Sequence, residues 1–493
     1  MKRFLTLALV GALVLGASSV LYANVCAFDA VPAATLLYPF VVYNYEQGAA
    51  GYDTLFSVTN VSSEAQIVHF TVWTDFSVAI LDFNVILTGY DVQNISIRDI
   101  LQTGQLPVTL YGGHTTAEGA FEDGPVSINN TVRAWDPVNL ALPEPTNALG
   151  DRCATTNVSY PGNYTQKIPT VLLGLFETWL QSSQTHDWYN SDFCDGSGEV
   201  AQGGLWYYNR TASDDTWMYI TADVVETCNK TFPDQAAYWG GEARYDNVLI
   251  GDVIYVNESA RYSEAVNAIH LEADEFDLGL VTNTDVNGNP YSFFYRYSGG
   301  DDGREPLPTA WGFRIVGTED GSLSTYIRAF KASTTDRQIV DAVWADSVDP
   351  GDFIAKDTVA YTYYAWDEEE NVVTSTSFPW SSPQGGDVVP NLLPLETQQV
   401  AAQAFSTVDP NGWMLFIWPY SNVDLNTPGA FPDAGDAECD DFYQTWMGVQ
   451  YILDGQWSAA LDGAVMANFN CFPDQILPNL GVNYKYIQPI AGN

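Results

Sequence analysis

Residues 67–75 read IVHFTVWTD. Val68, Phe70 and Val72 alternate with His69, Thr71 and Trp73, and a period of two sends the first set to one face of a strand and the second to the other. A helix would instead repeat its apolar positions at intervals of three and four. Upstream, residues 54–60 (TLFSVTN) run into the polar VSSE of 61–64, which reads as a strand entering a turn. Downstream, Phe83, Val85 and Leu87 repeat the alternation, Gly89 interrupts it, and Ile95 and Ile97 resume it against Asn94, Ser96 and Arg98. Short alternating runs separated by turn residues are the rhythm of packed antiparallel sheets.

The same rhythm continues toward the C terminus. Asn-Gly and Asp-Gly tolerate the positive φ of tight hairpin turns. Three such dipeptides, Asn287-Gly288, Asp320-Gly321 and Asp454-Gly455, each lie between apolar runs and predict hairpins. Residues 413–418 (WMLFIW) are continuously apolar, as a strand buried on both faces would be. Helix signals are scarce: residues 169–182 (PTVLLGLFETWLQS) carry Pro near the start and apolar residues at helical spacing, which predicts one amphipathic helix. A faint internal echo joins the two ends of the chain. Trp73 and Asp75 precede Asp91-Val-Gln93-Asn-Ile95, and Trp366 and Asp367 precede Glu396-Thr-Gln398-Gln-Val400. Such a short match is compatible with a duplicated unit and equally with coincidence.

Lys2 and Arg3, an apolar run through Gly16 and small residues up to Ala23 have the order of a secretory signal peptide. The apolar run is too short for the roughly 20 residues of a membrane span, and no second long run follows. Six cysteines, Cys26, Cys153, Cys194, Cys228, Cys439 and Cys471, all follow the expected cleavage point. An even number in an exported chain implies disulfides. Cys439 with Cys471 is the preferred pair, the others remaining open. None of the spacings is that of a zinc site. The expected organisation is a signal peptide at 1–23, an N-terminal sandwich region at 24–105, a cysteine-containing insertion or middle domain at 106–260, a hairpin-rich region at 261–355 and a C-terminal sandwich at 356–493.

The chain of 493 residues carries 61 acids against 18 lysines and arginines, a formal charge of −43. Such a surface repels phosphate backbones and anionic lipid, which disfavours nucleic-acid and acidic-membrane partners. It suits solubility in a salty medium first, then the binding of divalent cations or attraction to basic partners. Asp433, Asp436, Glu438, Asp440 and Asp441, clustered around Cys439, form a candidate calcium loop, and Asp301 and Asp302 lie in a Gly-rich segment of similar character. A solvated acidic turn is the simpler account of either cluster. Calcium is the one cofactor to consider. The four histidines, His69, His114, His186 and His270, show no metal or triad spacing, and His69 and His270 read as ordinary sheet residues. No nucleophile elbow, phosphate loop or dinucleotide fingerprint occurs. A pair of carboxylates fit for glycoside hydrolysis carries no information among 61 acids. Eight glycosylation sequons, at Asn60, Asn94, Asn129, Asn157, Asn163, Asn209, Asn229 and Asn257, all lie in the first 260 residues. Strand alternation points Asn94 outward, and Asn60 ends a strand at a turn, so both are expected at the surface.

Together these features predict an all-β protein of tandem antiparallel β-sandwich domains, with a disulfide-bearing insertion and few helices. The domains resemble immunoglobulin-like sandwiches in a generic way. The expected role is that of a secreted structural or adhesive protein, non-catalytic, which self-assembles through strand edges into a surface layer or filament. Residues 33–43 (AATLLYPFVVY) and 481–490 (GVNYKYIQPI) are candidate free strands for such assembly, although pairing inside the molecule is the simpler expectation for both. The alternative is a glycan-binding module or carbohydrate-active enzyme using some of the 15 Trp and 29 Tyr. Partners are then further copies of the chain, cell surfaces or glycans.

Overall fold

The computed structural model describes chiefly residues 31–107, 215–226, 232–273, 292–333, 361–377, 393–405, 411–418 and 443–467, with short pieces at 110–112, 125–127, 173–180, 187–188 and 206–207 and a few positions inside these ranges excepted. The strands in chain order are β1 (Thr35–Asn44), β2 (Tyr52–Asn60), β3 (Gln66–Thr74), β4 (Ala79–Leu87), β5 (Val92–Ser96), β6 (Leu110–Gly112), β7 (Pro125–Ser127), β8 (Asp187–Trp188), β9 (Trp206–Tyr207), β10 (Asp215–Val225) and β11 (Leu249–Asn257). They continue as β12 (Tyr262–Asn267), β13 (Ile269–Leu271), β14 (Ala310–Ile315), β15 (Leu323–Ser333), β16 (Tyr361–Asp367), β17 (Val372–Ser377), β18 (Thr397–Ala401), β19 (Gly412–Ile417), β20 (Tyr443–Leu453), β21 (Trp457–Asp462) and β22 (Ala464–Ala467). The fold is all-β with few, short helices. No helix among the described residues is long and apolar enough to cross a membrane.

Four antiparallel sheets hold these strands as two pairs. The first pair has the orders β13-β1-β10-β3-β4 and β12-β11-β2-β5, and the second β22-β14-β19-β16-β17 and β21-β20-β15-β18. The strands β6 with β7, and β8 with β9, form separate ribbons. Within the first pair the sheets face one another: the Tyr38 ring of β1 meets Phe56 of β2 at 4.8 Å, and its hydroxyl donates to the Ser57 carbonyl at 2.7 Å. The alternation of β3 is used as expected, with Val68, Phe70 and Val72 in this core. Gly251 of β11 lies where a Cβ would come within 2.6 Å of the Ser57 carbonyl oxygen and 2.8 Å of Leu36, so only glycine permits the layers to approach so closely there.

The second unit repeats the first, strand for strand. Replacing β14 to β22 by β1 to β5 and β10 to β13 in order turns one pair of sheets into the other. The registers agree as well: Phe56 lies opposite Val253 and Ile95, and Ile327 lies opposite Val449 and Val400. In that register Thr54 corresponds to Thr325. The Thr54 hydroxyl bridges the backbone N–H and carbonyl of Val42, both at 2.9 Å. That of Thr325 bridges those of Val316, at 2.9 and 2.6 Å. Likewise the Tyr255 hydroxyl donates to the Phe40 carbonyl at 2.7 Å, and its counterpart Tyr451 to the Arg314 carbonyl at 2.8 Å. The sequence echo falls on corresponding strands too, Trp73 and Trp366 on β3 and β16, and Gln93 and Gln398 on β5 and β18.

Several local expectations change. Ile97 does not continue a strand. It opens a short helix, Ile97–Leu101, because the Ser96 side chain accepts the Asp99 N–H and caps it. Asp320-Gly321 is not a hairpin within one sheet: β14 and β15 lie in opposite layers, and the turn, with Gly321 at φ 73°, carries the chain between them. Asp454-Gly455 does join the paired strands β20 and β21, at φ 53° and 64°, as a tight hairpin requires. Tyr295–Ser298 is helical, and Asn287-Gly288 lies outside the described residues. Residues 33–43 are not a free strand, since β1 is buried throughout and flanked by β10 and β13. The stretch 413–418 is buried except for Trp413, which is 38% exposed although its strand lies between β16 and β14. The described residues between 173 and 180 are helical. Segment 106–260 supplies β10 and β11 to the sheets of the first unit. Residues 1–23, 481–490 and all six cysteines lie outside the described residues.

Candidate interaction surface

The two units meet where the outer face of the β15–β20 sheet covers one flank of the first unit. Arg328 of β15 is the centre of this joint. Its guanidinium pairs with Glu264 of β12 at 2.5 Å, donates to Gln399 at 2.9 Å, and lies over the rings of Tyr255 at 4.2 Å and Phe40 at 4.8 Å. Glu264 also accepts from Gln450 at 2.8 Å and from Ser458 of β21. Beside them Phe330 packs edge-on against Tyr219 at 4.8 Å, and the Thr397 hydroxyl donates to the Pro39 carbonyl at 2.7 Å. A guanidinium suits this place because its face can stack on aromatic rings while its edge satisfies a carboxylate.

A second buried ion pair lies on the outer face of the β1–β10–β3 layer. Arg304, from the segment between the units, pairs with Asp223 at 3.4 Å, donates to Thr35 and to the carbonyls of Asp302 and Arg244, and lies over Trp239 at 5.1 Å. Tyr238 donates to Asp223 at 3.0 Å, and Asp302 accepts from Ser292, Ser298 and the Phe294 N–H. Burial raises the carboxyls of Asp223 and Asp302 above the ordinary range, while Arg304 opposes the shift. His69 neighbours Asp223 on β3. It sits fully buried with Nδ1 3.0 Å from Asn84 Oδ1 and Nε2 3.8 Å from Asp82, and burial lowers its pKa to about 4 against the opposing pull of Asn84. Arg304, Asp223 and Asp302 are thus engaged with one another and with their neighbours, whereas Nε2 of His69 and the Thr71 hydroxyl are buried without a hydrogen-bond partner.

Structural equivalence locates two further surfaces. The flank of the first unit that meets Arg328 and Phe330 is built from Phe40, Tyr219, Tyr255 and Glu264. In the second unit the corresponding positions are Arg314, Trp413, Tyr451 and Ala459, flanked by Trp457 and Leu461 on β21. There the flank is uncovered: Trp457 is 69% and Leu461 57% exposed, with Leu453 and Trp413 also exposed. The stacked pair Trp73 and Tyr219 of the first unit, 5.6 Å apart, has as its counterpart Trp366 and Trp413, stacked at 4.1 Å. Conversely, the covering face of the second unit, with Arg328, Thr397, Gln399 and Gln450, corresponds to Ser57, Val92, Asn94 and Ile254 in the first. Val92, Asn94 and Ile254 are exposed and Ser57 half-buried. The large hydrophobic side chains left exposed among the described residues are Tyr90, Val92, Ile254, Trp413, Leu453, Trp457 and Leu461. All belong to one or other of these two surfaces or their rims.

Of the residues singled out from sequence, Asp433, Asp436, Glu438, Asp440 and Asp441 lie outside the described residues, as do Asp301, His114 and His186. Asp302 is buried and engaged as above. No group of three or more His, Cys, Asp and Glu among the described residues is placed to hold a metal ion. Asn94 is exposed on the free face, whereas Asn60 is fully buried, its amide donating to the carbonyls of Glu64 and Thr88. The turn after β2 folds back over it, contrary to the expected accessibility. Asn257 is buried too and accepts from Ser259 and the Ala260 N–H. Asn129, Asn157, Asn163, Asn209 and Asn229 lie outside the described residues. His270 donates or accepts at Val31 and Gly251 backbone atoms within the first unit. Comparison with family models, with curated proteins and with solved structures finds no match to this chain.

Proposed function

We propose that this chain is a secreted structural protein whose partner is another copy of itself, assembled outside the cell as a filament or layer. The order of residues 1–23 and the even cysteine count support export. Reading each two-layer unit as a sandwich module of the immunoglobulin-like style belongs to the same proposal. The observation that carries it is the placement of the exposed large hydrophobics on two surfaces that match the two sides of a joint already made inside the molecule. Contiguous apolar surface on an otherwise acidic chain marks an interaction site.

Sedimentation of the purified chain tests this. Species larger than a monomer are expected to grow with concentration, and to grow further as salt is raised above about 0.15 M, because a charge of −43 opposes association until it is screened. A monomer under all these conditions would overturn the proposal. A second reading, glycan binding, is favoured by one observation: the rings of Tyr364, Trp366 and Trp413 form a stacked ladder beside Arg314. Glycan binding that is lost on Trp413→Ala while sedimentation is unchanged would favour that reading instead.

A further inference from the structure

Resting on the self-association proposed above, we infer that copies of the chain join head to tail, the uncovered flank of the second unit docking on the free outer face of the first unit of the next copy, so that the internal joint is repeated between molecules.

Each edge strand at the joint has one side used and one side free. On β12, Glu264 turns toward β21 of the same chain, while Ser263, Ala265 and Asn267 on the opposite side are exposed. On β21, Ser458 turns toward β12, while Trp457, Ala459 and Leu461 are exposed. Placing the free side of one β21 against the free side of the next β12 recreates the relation already present between the units. The partners across the new joint follow from the registers. Ala459 stands where Glu264 stands inside the molecule, and Ser57 where Arg328 stands. The buried ion pair thus has no counterpart at those positions; instead Arg314, which stands where Phe40 stands, comes to face Ser57 and its neighbour Asp252, so that a cation of the flank meets a carboxylate of the face. Replacing such a pair by small or apolar residues is neutral or favourable for a dry contact. Trp413 and Trp457 then supply the large aromatic anchors that protein interfaces use.

The two surfaces are different, so the contact is heterologous. It propagates as an open polymer or closes as a ring, in contrast to a two-fold contact, which stops at a dimer.

The test uses two full-length variants and their mixture. A flank variant carries Trp457→Asp with Leu461→Asp, and a face variant carries Val92→Asp with Ile254→Asp. All four positions are exposed, and an unchanged melting temperature verifies each fold. Wild type polymerises, each variant alone sediments as a monomer, and an equimolar mixture gives a species of two chains and no larger, through the one intact flank and the one intact face. Polymerisation by either variant alone, or a dimer formed by one variant alone, would overturn the inference while leaving self-association standing. A wild-type chain that stays monomeric would instead remove the reading on which the inference rests.

Discussion

Arg328 and Glu264 are each the other's answer to burial. Both side chains are almost inaccessible, and the joint between units closes over them. Arg328→Ala leaves the carboxylate inside without its counter-ion and is expected to cost about 3 to 5 kcal/mol, measured as a lowered midpoint in chemical denaturation. Arg328→Met combined with Glu264→Leu removes both charges and is expected to recover most of that loss. If the single and double variants are equally destabilised, the pair is not what the joint depends on. His69 gives a prediction in pH. Its folded pKa is about 4, below the ordinary 6.5, so the unfolded chain takes up a proton first as pH falls. Stability from this group is complete above about 6.5 and is lost as pH falls toward 4, by roughly 3 kcal/mol in total. The raised carboxyls of Asp223 and Asp302 work in the opposite sense, losing their contribution as pH rises above the ordinary carboxylate range. Comparing wild type with His69→Gln at pH 7 and 5 therefore isolates the histidine. The variant is expected to lose less stability between the two values, and an identical loss would show that His69 is not the titrating group.

Strands carry the repeat. Thr54 and Thr325 enter β2 and β15 at the same register and tie down the end of the strand in the opposite layer. Thr54→Val and Thr325→Val each remove two hydrogen bonds to backbone groups and are each expected to cost about 1 to 3 kcal/mol. Thermal unfolding of the two variants checks this, and a cost at one site with none at the other would contradict the equivalence of the units. Strand existence was legible in the sequence because alternation in β2, β3 and β4 is a local signal. So was the hairpin of Asp454-Gly455, where turn chemistry and strand pairing coincide. Asp320-Gly321 was misread because the same turn residues serve a corner between layers, and only long-range pairing tells the two apart. The joint was illegible for a related reason. Arg328 alternates outward from its own core like any solvated charge, and Glu264, its partner, belongs to the other unit. The exposed flank was equally hidden, since Trp457 and Leu461 alternate as core residues do, and only the packing of the units shows that they are uncovered.

At the scale of the molecule, two equivalent units joined asymmetrically leave, among the described residues, one flank and one face without a covering layer, at opposite ends of the same relation. A charge of −43 opposes association of copies at low ionic strength, and the two surfaces where they would meet carry the exposed hydrophobics together with Arg314 on one and Asp252 on the other. In the proposed assembly, shape repetition and not chemical novelty would be the source of the contact between copies, because it would reuse a geometry that folding has already built once. The most direct measurement is electron cryomicroscopy of the chain assembled at high salt. The account predicts a polar polymer in which successive lobes are evenly spaced and equally rotated, the step within a chain matching the step between chains. Two-fold symmetric dimers, or polymers whose lobes alternate between unlike spacings, would contradict it.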